Sequence, residues 1–152
     1  MKAKNFGMLL LAGMFTFGLQ SCDDNDDDRH ITASPELEAA FSQIFPDVNA
    51  STVQWEWDGR QNAYEAEFWE NRLEKSAWFS QAYEWLMTET DYEPPFTDVP
   101  QAVIDAANAQ YPEHHLEDID YIETPDETYY RVEMEQRDRD VYLNILEDGT
   151  IR

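Results

Sequence analysis

The sequence predicts an α+β fold made of two tandem units, each a helix followed by a meander of four antiparallel strands (α-β-β-β-β twice). Three observations support this prediction. Each half of the chain contains one segment with helical spacing of apolar residues, each such segment is followed by segments with strand alternation, and the second half repeats the first about 66 positions later. A sheet with one wet face gives such clean alternation, so both helices are expected on one face of the sheet.

The first helix is predicted between Ser34 and Pro46. Ser34 is a favourable N-cap residue, and Pro35 fits the first helical turn. Pro46 ends the helix because a proline cannot continue it. Four apolar residues recur at positions i, i+4, i+7 and i+8 and define the buried stripe, namely Leu37, Phe41, Ile44 and Phe45.

Four strands are predicted after this helix. The first two alternate apolar with acidic or polar residues, and Asp58-Gly59 forms the turn between them. A third strand is expected near Ala77–Ser80 and a fourth near Glu84–Thr88. The inward-pointing residues of the first two strands are Val53, Trp55, Trp57, Tyr64, Ala66 and Phe68.

The second unit repeats this order, with a helix over Pro100–Tyr111 that ends at Pro112. Its last turn, Asp148-Gly149, corresponds to Ala82-Tyr83 in the first unit, so the first unit must turn differently there. The apolar positions of its helix are Val103, Ile104, Ala107 and Tyr111, and those of its strands are Ile119, Tyr121, Tyr130, Val132, Met134, Val141, Leu143, Ile145 and Ile151.

The N-terminal segment resembles a bacterial lipoprotein signal. Two lysines precede an apolar run that is short for a membrane span, and Leu19-Gln20-Ser21 leads to Cys22, the only cysteine. The resemblance implies cleavage before Cys22 and acylation of its thiol. A plain secretory signal and an ordinary free thiol are the alternatives, although a lone cysteine in an oxidising compartment does not favour them.

These patterns predict five segments: a signal peptide over 1–21, the lipidated cysteine with an acidic tether over 22–33, a first repeat over 34–90, a linker over 91–98 and a second repeat over 99–152. The aspartate run after the cysteine cannot bury apolar surface, so we expect an extended tether. It also resembles the surface-export signal of Bacteroidetes lipoproteins, which predicts an outer-membrane lipoprotein facing either the periplasm or the cell surface.

The strong acidity of the chain limits its partners. The chain has 10 basic and 33 acidic residues, and without residues 1–28 these become 8 and 28, a net charge of −20. Binding to nucleic acid requires basic surface that releases counterions from phosphates, so nucleic acid is excluded as a partner. The lipid, rather than the protein surface, is expected to hold the molecule on the membrane.

Three features of the chain resemble the PepSY-like repeats of Bacteroidetes lipoproteins. They are the helices that end in Phe-Pro or Tyr-Pro, the matching strands Tyr64–Phe68 and Tyr130–Met134, and the closing segment Glu147–Ile151. Those repeats are similar in architecture to beta-lactamase inhibitor protein. The resemblance covers residues 34–152 and implies a non-catalytic envelope module that binds a protein partner. No inhibitory residue is carried over, and a role as a beta-lactamase inhibitor is not implied.

A candidate binding face follows from the alternation, if Leu86 and the apolar residues of the neighbouring strands face the helices. Aromatic side chains in a polar field are typical of binding hot spots. The alternatives are that these rings pack on each other across strands or lie at an interface. The face is predicted to comprise Glu65, Glu67, Trp69, Trp78, Trp85, Tyr129, Arg131, Glu133 and Tyr142.

No catalytic residue, metal site or cofactor is predicted. Glu65 and Glu67 lie two residues apart on a strand and therefore share its solvent-exposed face, where their charges favour solubility of the protein. The adjacent His114 and His115 point to opposite faces of a strand, so they could share a metal ion only with further ligands. The chain contains no glycine-rich phosphate loop or G-x-S-x-G motif, so an enzyme is not expected.

The sequence therefore predicts a lipid-anchored module of the cell envelope that binds a protein or peptide through an open sheet face. An enzyme-inhibitor-like role is compatible with this prediction. The alternative is an envelope lipoprotein that binds a glycan or a divalent metal ion, because exposed tryptophans also stack on sugar rings.

Mass spectrometry of the native protein tests the anchor. We expect the mature chain to begin at Cys22 and to carry acyl chains on that residue. An unmodified N-terminus upstream of Cys22 would contradict the lipoprotein interpretation, and protease treatment of intact cells would distinguish a periplasmic from a surface location.

Overall fold

The computed structural model describes residues 29–137 and 139–152. The predicted signal peptide, Cys22 and the aspartate run lie outside the described residues. Within the described ranges, neither helix has the length and apolar character needed to cross a membrane.

Two helices and eight strands form the described chain. Helix α1 spans Pro35–Ile44 and helix α2 spans Gln101–Gln110, and one 3₁₀ turn follows α1 at Ala50–Thr52. The strands are β1 (Arg29–His30), β2 (Gln54–Asp58), β3 (Ala63–Glu70), β4 (Leu73–Phe79), β5 (Trp85–Tyr92), β6 (His115–Glu123), β7 (Thr128–Gln136) and β8 (Arg139–Ile145).

All eight strands belong to one antiparallel sheet, in which they lie in the order of the sequence, β1 to β8. Strands β5 and β6 pair directly, from Thr88 opposite Glu123 to Tyr92 opposite Ile119. The predicted arrangement of two tandem α-β-β-β-β units is therefore wrong, although the α+β class is correct. Strand β5 extends to Tyr92 and thus into the predicted linker.

The strand count differs from the prediction at both ends of the sheet. Arg29 and His30 pair with Trp57 and Glu56 of β2, and two residues are too few to show alternation in the sequence. After β8, the Asp148-Gly149 turn reverses the chain, but only Ile151 forms a bridge, with Ile145. The predicted fourth strand of the second unit is therefore a single bridge.

The termini of α1 follow from its sequence. The Ser34 hydroxyl oxygen accepts a hydrogen bond from the Leu37 backbone N–H at 3.2 Å, as its prediction as N-cap requires. At the other end, the Phe45 N–H donates to the Phe41 carbonyl at 2.9 Å, and Pro46 prevents a further turn.

Helix α1 packs through Phe41, which is fully buried at the centre of an aromatic cluster. Its ring lies 5.0 Å from Phe45 and from Phe68, and 5.6 Å from Trp55, between ring centroids. Tilted and edge-on contacts of this kind add to the free energy gained from burial.

Helix α2 packs on the second half of the sheet through Val103 and Ala107. Behind it, Gly149 has a φ of +87°, and a Cβ atom there would lie 2.8 Å from the Ala102 carbonyl oxygen. Glycine at this turn therefore allows the chain after β8 to approach the start of α2. The strand residues of this cluster are Ile119, Tyr130, Val132, Met134, Leu143 and Ile145.

Both helices cover the same face of the sheet. One row of cross-strand partners joins the two cores and runs Phe68, Lys75, Thr90, Tyr121, Tyr130, Ile145. The opposite face carries no helix among the described residues.

Phe41→Ala is expected to lower the free energy of unfolding by about 3–5 kcal/mol, because it removes a fully buried ring that contacts four others. Ile44→Ala is the matched control, since Ile44 lies on the same helix but is 44% exposed, and its effect should be within about 0.5 kcal/mol. Urea denaturation measures both values. Equal effects of the two substitutions would contradict this description of the core.

Candidate binding face

The face of the sheet opposite the helices, called the open face below, is lined mainly by charged side chains. One row of partners on it runs Glu67, Ser76, Glu89, Ile122, Tyr129. A neighbouring row contains Asp91, Asp120, Arg131 and Asn144.

Arg131 joins three strands of this face. Its Nη2 donates to Glu89 Oε2 and to Asp120 Oδ2, each at 2.7 Å, and its Nε donates to Asp120 Oδ2 at 3.1 Å. Burial lowers the pKa of Arg131, but Glu89 and Asp120 outweigh it and raise the pKa overall, so the guanidinium stays charged. The same network connects β5 to β6 and β7, across the junction of the two halves.

An open groove of about 470 Å³ surrounds this network. Six carboxylates and Arg131 give it a strongly negative potential, since Lys75 pairs instead with Glu70 at 2.7 Å. Its lining comprises Glu74, Lys75, Ser76, Glu89, Asp91, Asp118, Asp120, Arg131, Glu133 and Tyr142.

Two carboxylates of the open face have pKa values raised to about 7. Burial raises the pKa of Glu65 most, and the charges of Asp58, Glu67 and Glu56 add to this effect, while Ser76 opposes it. In the register, Glu65 lies opposite the bulky Trp78 of β4, which removes water from it.

The pKa of Asp120 is raised by burial and then by the charge of Glu89, with Arg131 acting in the opposite direction. Burial likewise raises the pKa of Asp91, and Asp118 and other neighbouring carboxylates raise it further. Mutual repulsion among these groups is therefore a property of the groove.

One end of the open face is apolar rather than charged. Trp78, only 6% exposed, packs with Ala63, Met87 and Ile122, and Tyr129 lies against them. The Trp78 indole Nε1 donates to Asp58 Oδ2 at 3.0 Å. Trp78 and Tyr129 thus lie on the predicted face, but they form part of a small core there.

Trp85 does not lie on the predicted face. Trp78 pairs with Met87 and Phe79 with Trp85, so Leu86 is an extra residue in β5. Such a bulge inverts the alternation beyond it. Trp85 therefore packs with the α1 core and donates to Thr88 Oγ1 at 2.9 Å, while Leu86, predicted to face the helices, is exposed.

The remaining predicted residues lie on the open face. Trp69 is 65% exposed and Tyr142 is 43% exposed, so these two aromatic rings are available to a partner. Glu67 lies opposite Ser76, and Glu133 lies between Asp118 and Tyr142 in the register. The binding role of this set is a proposal, taken up below.

Two groups of side chains have the spacing of metal ligands. In each of the sets Asp91, Asp118, Asp120 and His115, Glu117, Glu135, the ligand atoms lie within 4.8 Å of one another. His115 Nε2 lies 2.9 Å from Glu135 Oε2 and 3.4 Å from Glu117 Oε2. His114, in contrast, packs on the ring of Tyr111 with centroids 5.1 Å apart.

The sequence reasoning missed most carboxylates of the groove. Asp118 and Asp120 alternate with the inward-facing Ile119 and Tyr121. This alternation would have been sufficient to assign both aspartates to the open face. Glu89 and Asp91 alternate in the same way with Thr88, Thr90 and Tyr92, so the same signal was available for them; the bulge at Leu86 affects only the start of β5.

Glu65→Gln tests the electrostatics of this face. A raised pKa means that the folded protein holds its proton more tightly than the unfolded chain, so the contribution of Glu65 to stability is present below about pH 4.5 and is lost as the pH rises through about 7. The free energy of unfolding of the variant, relative to wild type, should therefore increase from pH 5 to pH 8. We expect about 1 kcal/mol after allowance for partial solvent screening.

Urea denaturation at both pH values measures this difference. Glu147→Gln, which removes an exposed carboxylate outside the open face, is the control for the loss of one charge. The same pH profile for both variants would contradict the burial of Glu65.

Several solved structures of Bacteroides proteins are similar to the chain, including the following three. A BLIP-like protein from Bacteroides fragilis has 28% identity and a TM-score of 0.69, with 80% of this chain and 84% of that chain covered. A DUF2874 family protein from Bacteroides uniformis has 24% identity, a TM-score of 0.68 and coverage of 79% and 86%. A protein from Bacteroides eggerthii described as a "putative periplasmic" protein has 20% identity, a TM-score of 0.66 and coverage of 79% and 86%.

The chain matches none of the curated proteins. The family model described as beta-lactamase-inhibitor-like, PepSY-like matches residues 62–152, which is more than half of the chain. This match confirms the resemblance predicted from the strand pairs and the closing segment. It indicates the fold of an inhibitor-like binding module. The chain belongs to the beta-lactamase-inhibitor-like, PepSY-like family.

Proposed function

We propose that the protein is a lipid-anchored, non-catalytic module of the cell envelope that binds a protein or peptide on its open face. The observation that carries this proposal is a broad sheet face, free of helices among the described residues, that holds a groove of about 470 Å³ and two exposed aromatic rings. The inhibitor-like family and the BLIP-like structural relative support a protein as the partner.

Trp69 and Tyr142 are the proposed anchors. Exposed tryptophan and tyrosine are enriched among residues that dominate binding energy, because they bury a large area with little loss of side-chain freedom. Neither ring is part of the buried clusters, so both are free to contact a partner.

Glu65 and Asp120, the two carboxylates whose pKa is raised to about 7, lie on different parts of the open face. Glu65 lies on β3 and Asp120 on β6, so three inter-strand spacings of about 4.8 Å separate them, roughly 14 Å in all. The paired carboxylates of glycoside hydrolases lie about 5–9.5 Å apart. Glu65 and Asp120 are too distant to serve as such an acid and base.

The proposed location of the protein in the cell envelope is based on the sequence around Cys22. Acylation of this cysteine would hold the molecule on the outer membrane, and the aspartates that follow would keep the domain away from the anionic lipid surface. The open face would then be available to partners in the periplasm or at the cell surface.

A divalent cation is the second candidate ligand, because Asp91, Asp118 and Asp120 bring carboxylate oxygens within 4.8 Å of one another. A glycan has less support than the sequence suggested. Of the three tryptophans assigned to the face, only Trp69 is exposed, whereas sugar binding by stacking needs an accessible ring surface. A stabilising effect of Ca²⁺ or of a glycan in thermal-shift measurements would favour this second function.

Trp69→Ala with Tyr142→Ala tests the proposed function. The double variant should lose the proteins that the wild-type chain captures from its native cell envelope, as quantified by mass spectrometry. Its melting temperature should remain close to that of wild type, because both side chains are exposed.

Ile44→Ala serves as the matched control, since it removes an exposed apolar side chain from α1 on the opposite side of the sheet. This variant should capture the same proteins as wild type. If the double variant captures them equally well, the open face is not the binding surface.

A further inference from the structure

We propose that the groove of the open face receives a lysine- or arginine-bearing segment of the partner protein. This inference rests on the proposed function and specifies the chemistry of the partner. It depends on the charges that the fold leaves without compensation, on the spacing of the carboxylates and on the aromatic rings beside them.

Charge complementarity selects a cationic segment. Of the six groove carboxylates, Glu89 and Asp120 share the single positive charge of Arg131. Glu74, Asp91 and Asp118 form no ion pair with any residue in the described ranges. Like charges held together on adjacent strands repel each other, so a cation supplied by a partner would relieve this repulsion.

The spacing of Asp91 and Asp118 suits one cationic side chain. Their carboxylate oxygens lie within 4.8 Å of each other. An ammonium group that donates two hydrogen bonds of about 2.8 Å at tetrahedral angles spans oxygens about 4.6 Å apart, which is close to this upper limit, so one such group can reach both carboxylates. A comparable arrangement exists next to this pair, where the Arg131 guanidinium bridges Glu89 of β5 and Asp120 of β6, each at 2.7 Å.

The exposed rings add a feature that a bare cluster of carboxylates lacks. Trp69 lies opposite Glu74 in the β3–β4 register, and Tyr142 lies opposite Glu133 in the β7–β8 register, so the rings flank the groove on two sides. The methylene stem of lysine or arginine packs well on such rings, and its charged end interacts favourably with the ring face.

Binding of synthetic peptides tests this inference with the full chain. The probes are three fluorescent octapeptides in which serine alternates with lysine, arginine or glutamate, measured by fluorescence polarisation. The lysine and arginine peptides should bind and the glutamate peptide should not. Asp91→Asn with Asp118→Asn should weaken binding of the cationic peptides by about tenfold or more.

The matched control is Asp47→Asn with Glu147→Gln, which changes the net charge equally at exposed positions outside the groove. It should weaken binding by about twofold or less, because only long-range attraction is reduced. The groove variant should melt at least as high as wild type, since it removes repulsion, and a folded variant makes the loss of binding interpretable.

Equal weakening by the two double variants would overturn the inference, because binding would then reflect net charge alone. It would also be overturned if Ca²⁺ at about 1 mM displaced the peptides and stabilised the wild type but not the groove variant, since the groove would then be a metal site. If capture of envelope proteins requires Trp69 and Tyr142 but not Asp91 and Asp118, the inference of a cationic segment is wrong while the proposed function stands.

Discussion

The pairing of β5 with β6 is the constraint on which the rest of the molecule depends. It joins five residue pairs across the two halves of the chain and converts two helix-bearing segments into one continuous sheet. Because cross-strand partners share a face, this register also places α1 and α2 on the same side. The other side carries no helix among the described residues, and charged side chains line most of it, with an apolar cluster around Trp78 at one end.

The electrostatics of the open face follow from that junction. Glu89 comes from β5, Asp120 from β6 and Arg131 from β7, so the ion-pair network exists only when the two halves are joined. Arg131 supplies one positive charge to two carboxylates. Burial raises the pKa of Asp120 despite this ion pair, and it raises the pKa of Asp91, which has no ion-pair partner among the described residues. The fold thus holds carboxylates in an arrangement that is unfavourable for the isolated protein.

The sequence predicted the helices and most strands because their signals are local. Ser34 and Pro46 bound the first helix, and alternation identified the inward residues of β2, β3, β6, β7 and β8. Three features were not predictable in this way. The β5–β6 pairing is a long-range contact, β1 has only two residues, and the bulge at Leu86 inverts the phase of β5 without any glycine to indicate it. Trp85 was therefore assigned to the wrong face.

The tryptophans of the sheet show why an aromatic residue on a polar strand is ambiguous in sequence. Trp78 and Trp69 each lie opposite a glutamate of the neighbouring strand, Glu65 and Glu74 respectively. Trp78 is nevertheless buried, because Asp58 accepts its indole N–H and Met87 and Ile122 cover its ring. Trp69, near the end of β3, has no such neighbours and stays exposed. Trp78 contributes to stability and Trp69 is left for the proposed binding role, so substitutions at Trp69 test recognition without disturbing the fold that positions the groove.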